Sequence, residues 1–208
     1  IMMILNLSSS MQIQQAMLAR GDRSNFTKCM QVSHVEVNGK VLGVVGAGTI
    51  GREVIKVAQA LGMKVLAYTR TPRADEDNLK YVSLEELLKQ SDYISLHCPL
   101  TPQTRHMINK ETIAMMKPTA YIINTGRGAL IDEPALIEAL KEGRIAGAGL
   151  DVQETEPPVQ DNPLYDMPNV ILTPHMGWKG LETRQRLVSI LAANIQAFDE
   201  GRPQNVVS

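Results

Sequence analysis

Cysteine is scarce in this chain of 208 residues, which has only Cys29 and Cys98. Two thiols so far apart supply neither a disulfide framework nor, with four dispersed histidines, a metal site. A reducing cytoplasm is the expected location. An excess of one charge is missing as well: 21 basic against 22 acidic residues leave a formal net charge of −1. No pull toward nucleic acid or an anionic membrane follows from that balance. Long apolar runs are also lacking. Residues 1–7 are apolar but short, with no basic residue before them, so neither a signal peptide nor a membrane span is expected. There is no internal repeat and no low-complexity tract. What remains, 44% apolar and 21% charged residues, suits a soluble globular protein with a sizeable core.

Along residues 1–39 the signals are mixed. The Met/Gln/Ser-rich stretch 8–20 predicts a helix, and 21–28 reads as a polar break. From Lys40 onward short apolar runs alternate with helical periodicity. Strands are predicted at 41–45, 64–68, 93–96, 120–124, 145–150 and 170–172. Helices are predicted at 50–61, from Ser83 with Glu86 as a capping box, at 110–116, 134–141 and about 180–200. Buried strands alternating with helices imply an α/β fold with a doubly wound parallel sheet, Rossmann-like, which gathers ligands at the carboxyl ends of its strands.

The turn Gly46-Ala47-Gly48-Thr49-Ile50-Gly51 fits G-x-G-x-x-G between a strand and a helix. The first glycine permits the tight turn, the second lets backbone approach a pyrophosphate, and the third lets helix and strand pack closely. Backbone N–H groups near Thr49 and Ile50 would then face the phosphates. An NAD site usually places an acid at the end of the second strand. Here that strand runs into Thr69, Arg70, Thr71, Pro72 and Arg73. Hydroxyls and arginines suit a ribose 2′-phosphate, so NADP(H) is favoured, with NAD(H) as the alternative.

Three further strand ends carry polar residues. They are Asn124-Thr125-Gly126-Arg127-Gly128, the stretch from Gly149 through Asp151, Glu154 and Glu156 to Pro157-Pro158, and Leu172-Thr173-Pro174-His175-Met176-Gly177-Trp178. Taken singly, each is a surface ion pair, a loop carboxylate or a satisfied histidine. Together they provide what reduction of a 2-oxo acid requires: an arginine for the carboxylate, a histidine to protonate the alkoxide, and a carboxylate to hold the histidine. His34, His97 and His106 lack such company. His97 and Cys98 read as packing residues or cofactor neighbours.

From about Asn38 these stretches, with Gly39-Lys40-Val41-Leu42-Gly43, Ser95 to Thr104, Ala146 to Val152 and Glu156-Pro157-Pro158, resemble the D-isomer-specific 2-hydroxyacid dehydrogenases. The resemblance implies a catalytic arginine at Arg127, a catalytic glutamate at Glu156 (rather than Glu154) and the proton donor at His175. It also implies cofactor contacts at Gly46, Gly48, Thr49, Ile50, Gly51, Thr69, Arg70, Thr71, Pro99 and Thr104. Thr125, Gly126 and Asp151 should lie near the nicotinamide, and Arg127, His175 and Gly177 are further cofactor contacts. Trp178 after the histidine resembles the glycerate dehydrogenase and hydroxypyruvate reductase branch, which implies hydroxypyruvate- or glyoxylate-type substrates, and pairing of family members through their crossover helices implies a homodimer. Family members precede the cofactor domain with a substrate-side domain. On that pattern residues 1–39 are a crossover remnant, 40–179 the dinucleotide-binding domain, and 180–208 a helix returning to the other domain. The rival readings are a catalytically weak NAD(P)-binding fragment and a nucleotide-sensing, corepressor-like scaffold on the same fold.

Overall fold

A computed structural model describes residues 1–27, 31–71 and 73–206; Lys28, Cys29, Met30, Pro72, Val207 and Ser208 lie outside the described residues. The strands are β1 (Val41–Val45), β2 (Lys64–Tyr68), β3 (Leu79–Tyr81), β4 (Tyr93–Leu96), β5 (Tyr121–Asn124), β6 (Gly147–Leu150) and β7 (Val170–Leu172). They form one sheet in the order β3-β2-β1-β4-β5-β6-β7, with every neighbouring pair parallel. The helices are α1 (Met2–Ser8), α2 (Met11–Ala19), α3 (Ser24–Thr27), α4 (Thr49–Ala60), α5 (Leu84–Gln90), α6 (Lys110–Ile113), α7 (Glu133–Lys141) and α8 (Leu181–Asp199). The doubly wound sheet expected from the alternating pattern is therefore present.

Side-chain alternation explains the two layers. In β1, Leu42 and Val44 join one apolar cluster with Met3 and Ile4 of α1 and with Ile55 and Ala58 of α4. Val45, on the opposite face, joins Leu87 and Leu88 of α5, Ile113 of α6, and Leu136 and Leu140 of α7. Fully burying each such aliphatic side chain contributes about 1.5–3 kcal/mol. Of the two glycines in β6, Gly147 abuts the Asn169 carbonyl oxygen, 2.3 Å from where a Cβ would stand, and Gly149 lies under helix α1. A Cβ on Gly149 would stand 2.9 Å from the Met3 Cβ.

Chain ends of the helices follow local chemistry. Gly62 adopts φ 77 just past α4, the left-handed geometry that closes a helix. Ser83 caps α5 by accepting from the Glu86 N–H at 3.1 Å. The Glu86 carboxylate turns instead to Gln90, one turn on, so the expected reciprocal box is half-formed. A complete box occurs at Asn109 and Thr112 of α6, where sequence reasoning had assigned only a helix. Strand β3 and helix α1 are not expected from the sequence pattern, and the short helix α3 falls within 21–28, the stretch read as a polar break.

The chain divides into two compact units, Ile1–Thr173 and Pro174–Ser208. The first contains the whole sheet together with α1, α2 and α3. The second consists of the turn around His175 and helix α8, which buries none of its residues. Among the described residues no helix is long and apolar enough to cross a membrane.

Candidate active site

At the carboxyl edge of the sheet, β1 ends in the glycine turn. Gly46 has φ 101, which disfavours any side chain, and its N–H bonds the Tyr68 carbonyl at 2.9 Å. A Cβ on Gly46 would come within 2.7 Å of the Cys98 N, and one on Gly51 within 2.1 Å of the Gly46 carbonyl oxygen. Gly48 differs, since a Cβ there would meet nothing within 4 Å. Two glycines thus let strand and helix close together, and the third keeps backbone bare at the start of α4. Thr49 and Ile50 are exposed there, and no acidic residue occupies the first turn. Bare amides, the positive end of a 12-residue helix and no competing carboxylate fit a dinucleotide's diphosphate.

Beyond β2, the Thr69 hydroxyl donates to the Thr71 carbonyl at 2.7 Å, while Arg70 and Thr71 are exposed. An acid that sequence reasoning passed over, Glu76, lies a few residues on. It accepts both ends of the Arg52 guanidinium from α4, at 2.8 and 3.2 Å. That pairing holds the Glu76 carboxyl below its usual range.

His97 and Cys98 follow β4. The His97 Nε2 lies 2.8 Å from the Ser95 hydroxyl, and burial lowers the imidazole pKa to about 4. Burial raises that of the Cys98 thiol, whose Sγ lies 3.6 Å from the Met107 Sδ. Both are uncharged near neutrality and act as packing groups. Thr104 accepts the Thr101 N–H at 2.8 Å and donates to the Pro99 carbonyl at 2.7 Å. Its hydroxyl therefore closes the loop that presents exposed Pro99.

The turn after β5 is locked by Asn124, which is 1% exposed. Its amide donates to the Arg127 carbonyl at 2.9 Å, and its oxygen accepts the Gly126 N–H at 3.1 Å. Thr125 and Arg127 are exposed, and the Arg127 Nη1 donates to the Gly126 carbonyl at 2.8 Å. A Cβ on Gly126 would meet only ordinary contacts, the nearest at 3.4 Å. After β6, Asp151 is buried, bonds the Asn124 carbonyl through its N–H, and accepts the Thr173 hydroxyl. The ends of β5, β6 and β7 are thereby knitted together.

The loop that follows separates the two candidate glutamates. Glu156 is exposed, precedes a cis bond to Pro157, and accepts the Gln153 N–H at 3.2 Å. Glu154 is engaged elsewhere. Its carboxylate meets the His106 Nε2 at 2.6 Å and the Arg105 Nη2 at 3.2 Å, and also accepts the Glu133 N–H. His106 therefore has a carboxylate partner, contrary to the expectation that it stood alone. The cause is a long-range pairing between segments 48 residues apart, which leaves no trace in local spacing. His175 is the second residue of the second unit, half-buried and with φ 49. Gly177 and Trp178 follow it, and the Arg184 guanidinium lies 5.8 Å from the indole centroid.

Comparison with known proteins agrees with this fold. Residues 1–177 match the family model described as D-isomer specific 2-hydroxyacid dehydrogenase, NAD binding domain. A hydroxypyruvate reductase of Blautia hydrogenotrophica is 50% identical over 176 residues, 84% of this chain and 55% of that protein. A glycerate dehydrogenase of Methylorubrum extorquens is 49% identical over 174 residues, 83% of this chain and 54% of that protein. The solved structure of an acyclic imino acid reductase in complex with NADPH and D-Arg is 33% identical, with a TM-score of 0.89 over 99% of this chain and 64% of the other. The chain spans about half the length of the curated relatives it matches. With its parallel sheet, glycine turn and sequence match in accord, the chain belongs to the D-isomer specific 2-hydroxyacid dehydrogenases, of which it contains the NAD binding domain.

Proposed function

We propose that this chain serves NAD(P)H-dependent reduction of a small 2-oxo acid, of the hydroxypyruvate or glyoxylate type, to the D-2-hydroxy acid. The observation that carries the proposal is the Asn124-locked turn, which presents exposed Arg127 two strands from the glycine turn. Two strand spacings amount to about 10 Å along the carboxyl edge. The cofactor, when bound, supplies a hydride to the carbonyl carbon. Arg127 grips the substrate carboxylate with its fork of donors and polarises the neighbouring carbonyl. His175, as imidazolium, gives its proton to the carbonyl oxygen as charge develops there. Glu156 is the carboxylate that the family resemblance assigns to holding the imidazole's tautomer. Gly46, Gly48, Thr49, Ile50 and Gly51 hold the diphosphate, Pro99, Thr104 and Gly177 contact the cofactor, and Thr125, Gly126 and Asp151 border the nicotinamide. Thr69, Arg70 and Thr71 take the 2′-phosphate, which makes NADP(H) the preferred cofactor.

The test is turnover of this chain with NADPH and a panel of 2-oxo acids. His175→Ala should lower kcat by about 10²–10⁴-fold with NADPH still bound. Arg127→Lys should raise KM and lower kcat together, because lysine has no bidentate fork. Turnover unchanged in His175→Ala overturns the assignment, and absence of turnover in the parent chain favours a nucleotide-binding fragment or scaffold. Equal affinity for NADH and NADPH, unaltered by Arg70→Ala, overturns the cofactor preference.

A further inference from the structure

The carboxylate of Glu154 sits among three segments that share the carboxyl edge of the sheet. One oxygen faces the His106 Nε2 and the Arg105 Nη2, at 2.6 and 3.2 Å. The other accepts the Glu133 N–H at 3.4 Å, and the Glu154 N–H returns a bond of 3.0 Å to the Glu133 carboxylate. Glu133 in turn accepts the amide of Asn162, a side chain 4% exposed that also donates to the Gln153 side-chain oxygen at 2.9 Å. His106 reaches this arrangement with a left-handed backbone, φ 49, and its own N–H bonds the Ala129 carbonyl at 2.8 Å, two residues past Arg127. Left-handed geometry in a non-glycine residue costs about 1 kcal/mol or more and persists only where the surroundings enforce it. Gly128 completes the contact, because a Cβ there would stand 1.9 Å from the Gln153 carbonyl oxygen. The loop that carries Glu156 is thus held at Gln153, Glu154 and Asn162 against the turn that carries Arg127.

We infer that Glu154, through its pairing with His106, is a positioning residue that fixes the Glu156 loop against the Arg127 turn. It touches neither reacting group. Its consequence for catalysis rests on the reduction proposed above; its consequence for loop order does not. Charge-assisted hydrogen bonds of this kind, when removed, release the segment they hold to local opening. The paired carboxylate also explains why Glu154 is unsuited to the catalytic role, since its oxygens are committed to His106, Arg105 and the Glu133 amide.

The experiment compares the parent chain with Glu154→Gln, His106→Asn and the double variant. Asparagine tolerates the left-handed backbone but cannot span the gap to the carboxylate. Amide hydrogen exchange at Gln153 and Glu154 should quicken by about tenfold in each single variant, and the double variant should be no faster than either. NADPH affinity should stay within twofold of the parent, as the glycine turn is untouched. Where the parent chain turns over a 2-oxo acid, kcat should fall by about tenfold with KM for the cofactor unchanged. Unaltered exchange in both single variants, or additive effects in the double variant, overturns the inference. If the parent has no turnover, the reduction proposal fails while exchange still decides the role of Glu154.

Discussion

Within six residues, glycine performs three separate tasks. Gly46 supplies a left-handed turn, Gly51 lets α4 approach β1, and Gly48 leaves the backbone uncovered. Substitution should separate them. Gly51→Ala would press a methyl against the Gly46 carbonyl at 2.1 Å and should cost about 3 kcal/mol or more, read from urea denaturation. Gly48→Ala should leave stability within about 0.5 kcal/mol and weaken NADPH binding by about tenfold, read by fluorescence titration. Equal losses of stability in the two would contradict the division of labour. His97 gives a pH prediction. Its pKa of about 4 in the folded chain lies below the value of about 6.5 expected when unfolded. The unfolded chain binds more protons between these values, so stability should fall as pH drops from about 6.5 toward 4. His97→Gln should flatten that part of the curve of urea midpoint against pH.

Among the elements, α1 is the least obvious contributor. Met3, Ile4 and Leu7 are buried, and Ile4 lies beneath the sheet with 0% exposure. Ile4→Ala should cost about 2–5 kcal/mol in urea denaturation, a loss that a mere connecting segment would not show. Sequence reasoning missed this helix because seven mostly apolar residues carry no period that separates helix from strand. Strand β3 escaped for a related reason, being three residues long and fixed by pairing with β2. The longer strands and α4 were legible, since buried alternation and a left-handed glycine at Gly62 are local signals. At the site, the backbone demands on Gly46 and Gly51 could be read from the chain, whereas the partners of Glu154 and Glu76 could not. Their arginine and histidine partners lie 24 to 49 positions away.

For the molecule as a whole, the second unit is set apart by the character of α8. Leu187, Val188, Leu191, Ile195 and Phe198 are between 57% and 75% exposed. Apolar area of that kind promotes association. Replacing Leu187, Leu191 and Phe198 together with Gln should reduce concentration-dependent self-association in sedimentation experiments and leave the urea midpoint of the sheet unchanged. A lowered midpoint would mean that the helix face also supports folding. The close meeting of Gly128 with Gln153 governs how this domain can be re-engineered. Residues around 124–130 and 151–162 behave as a single cassette, so a donor loop grafted at one place must bring its companion. Libraries that randomise either stretch alone will consist largely of misfits.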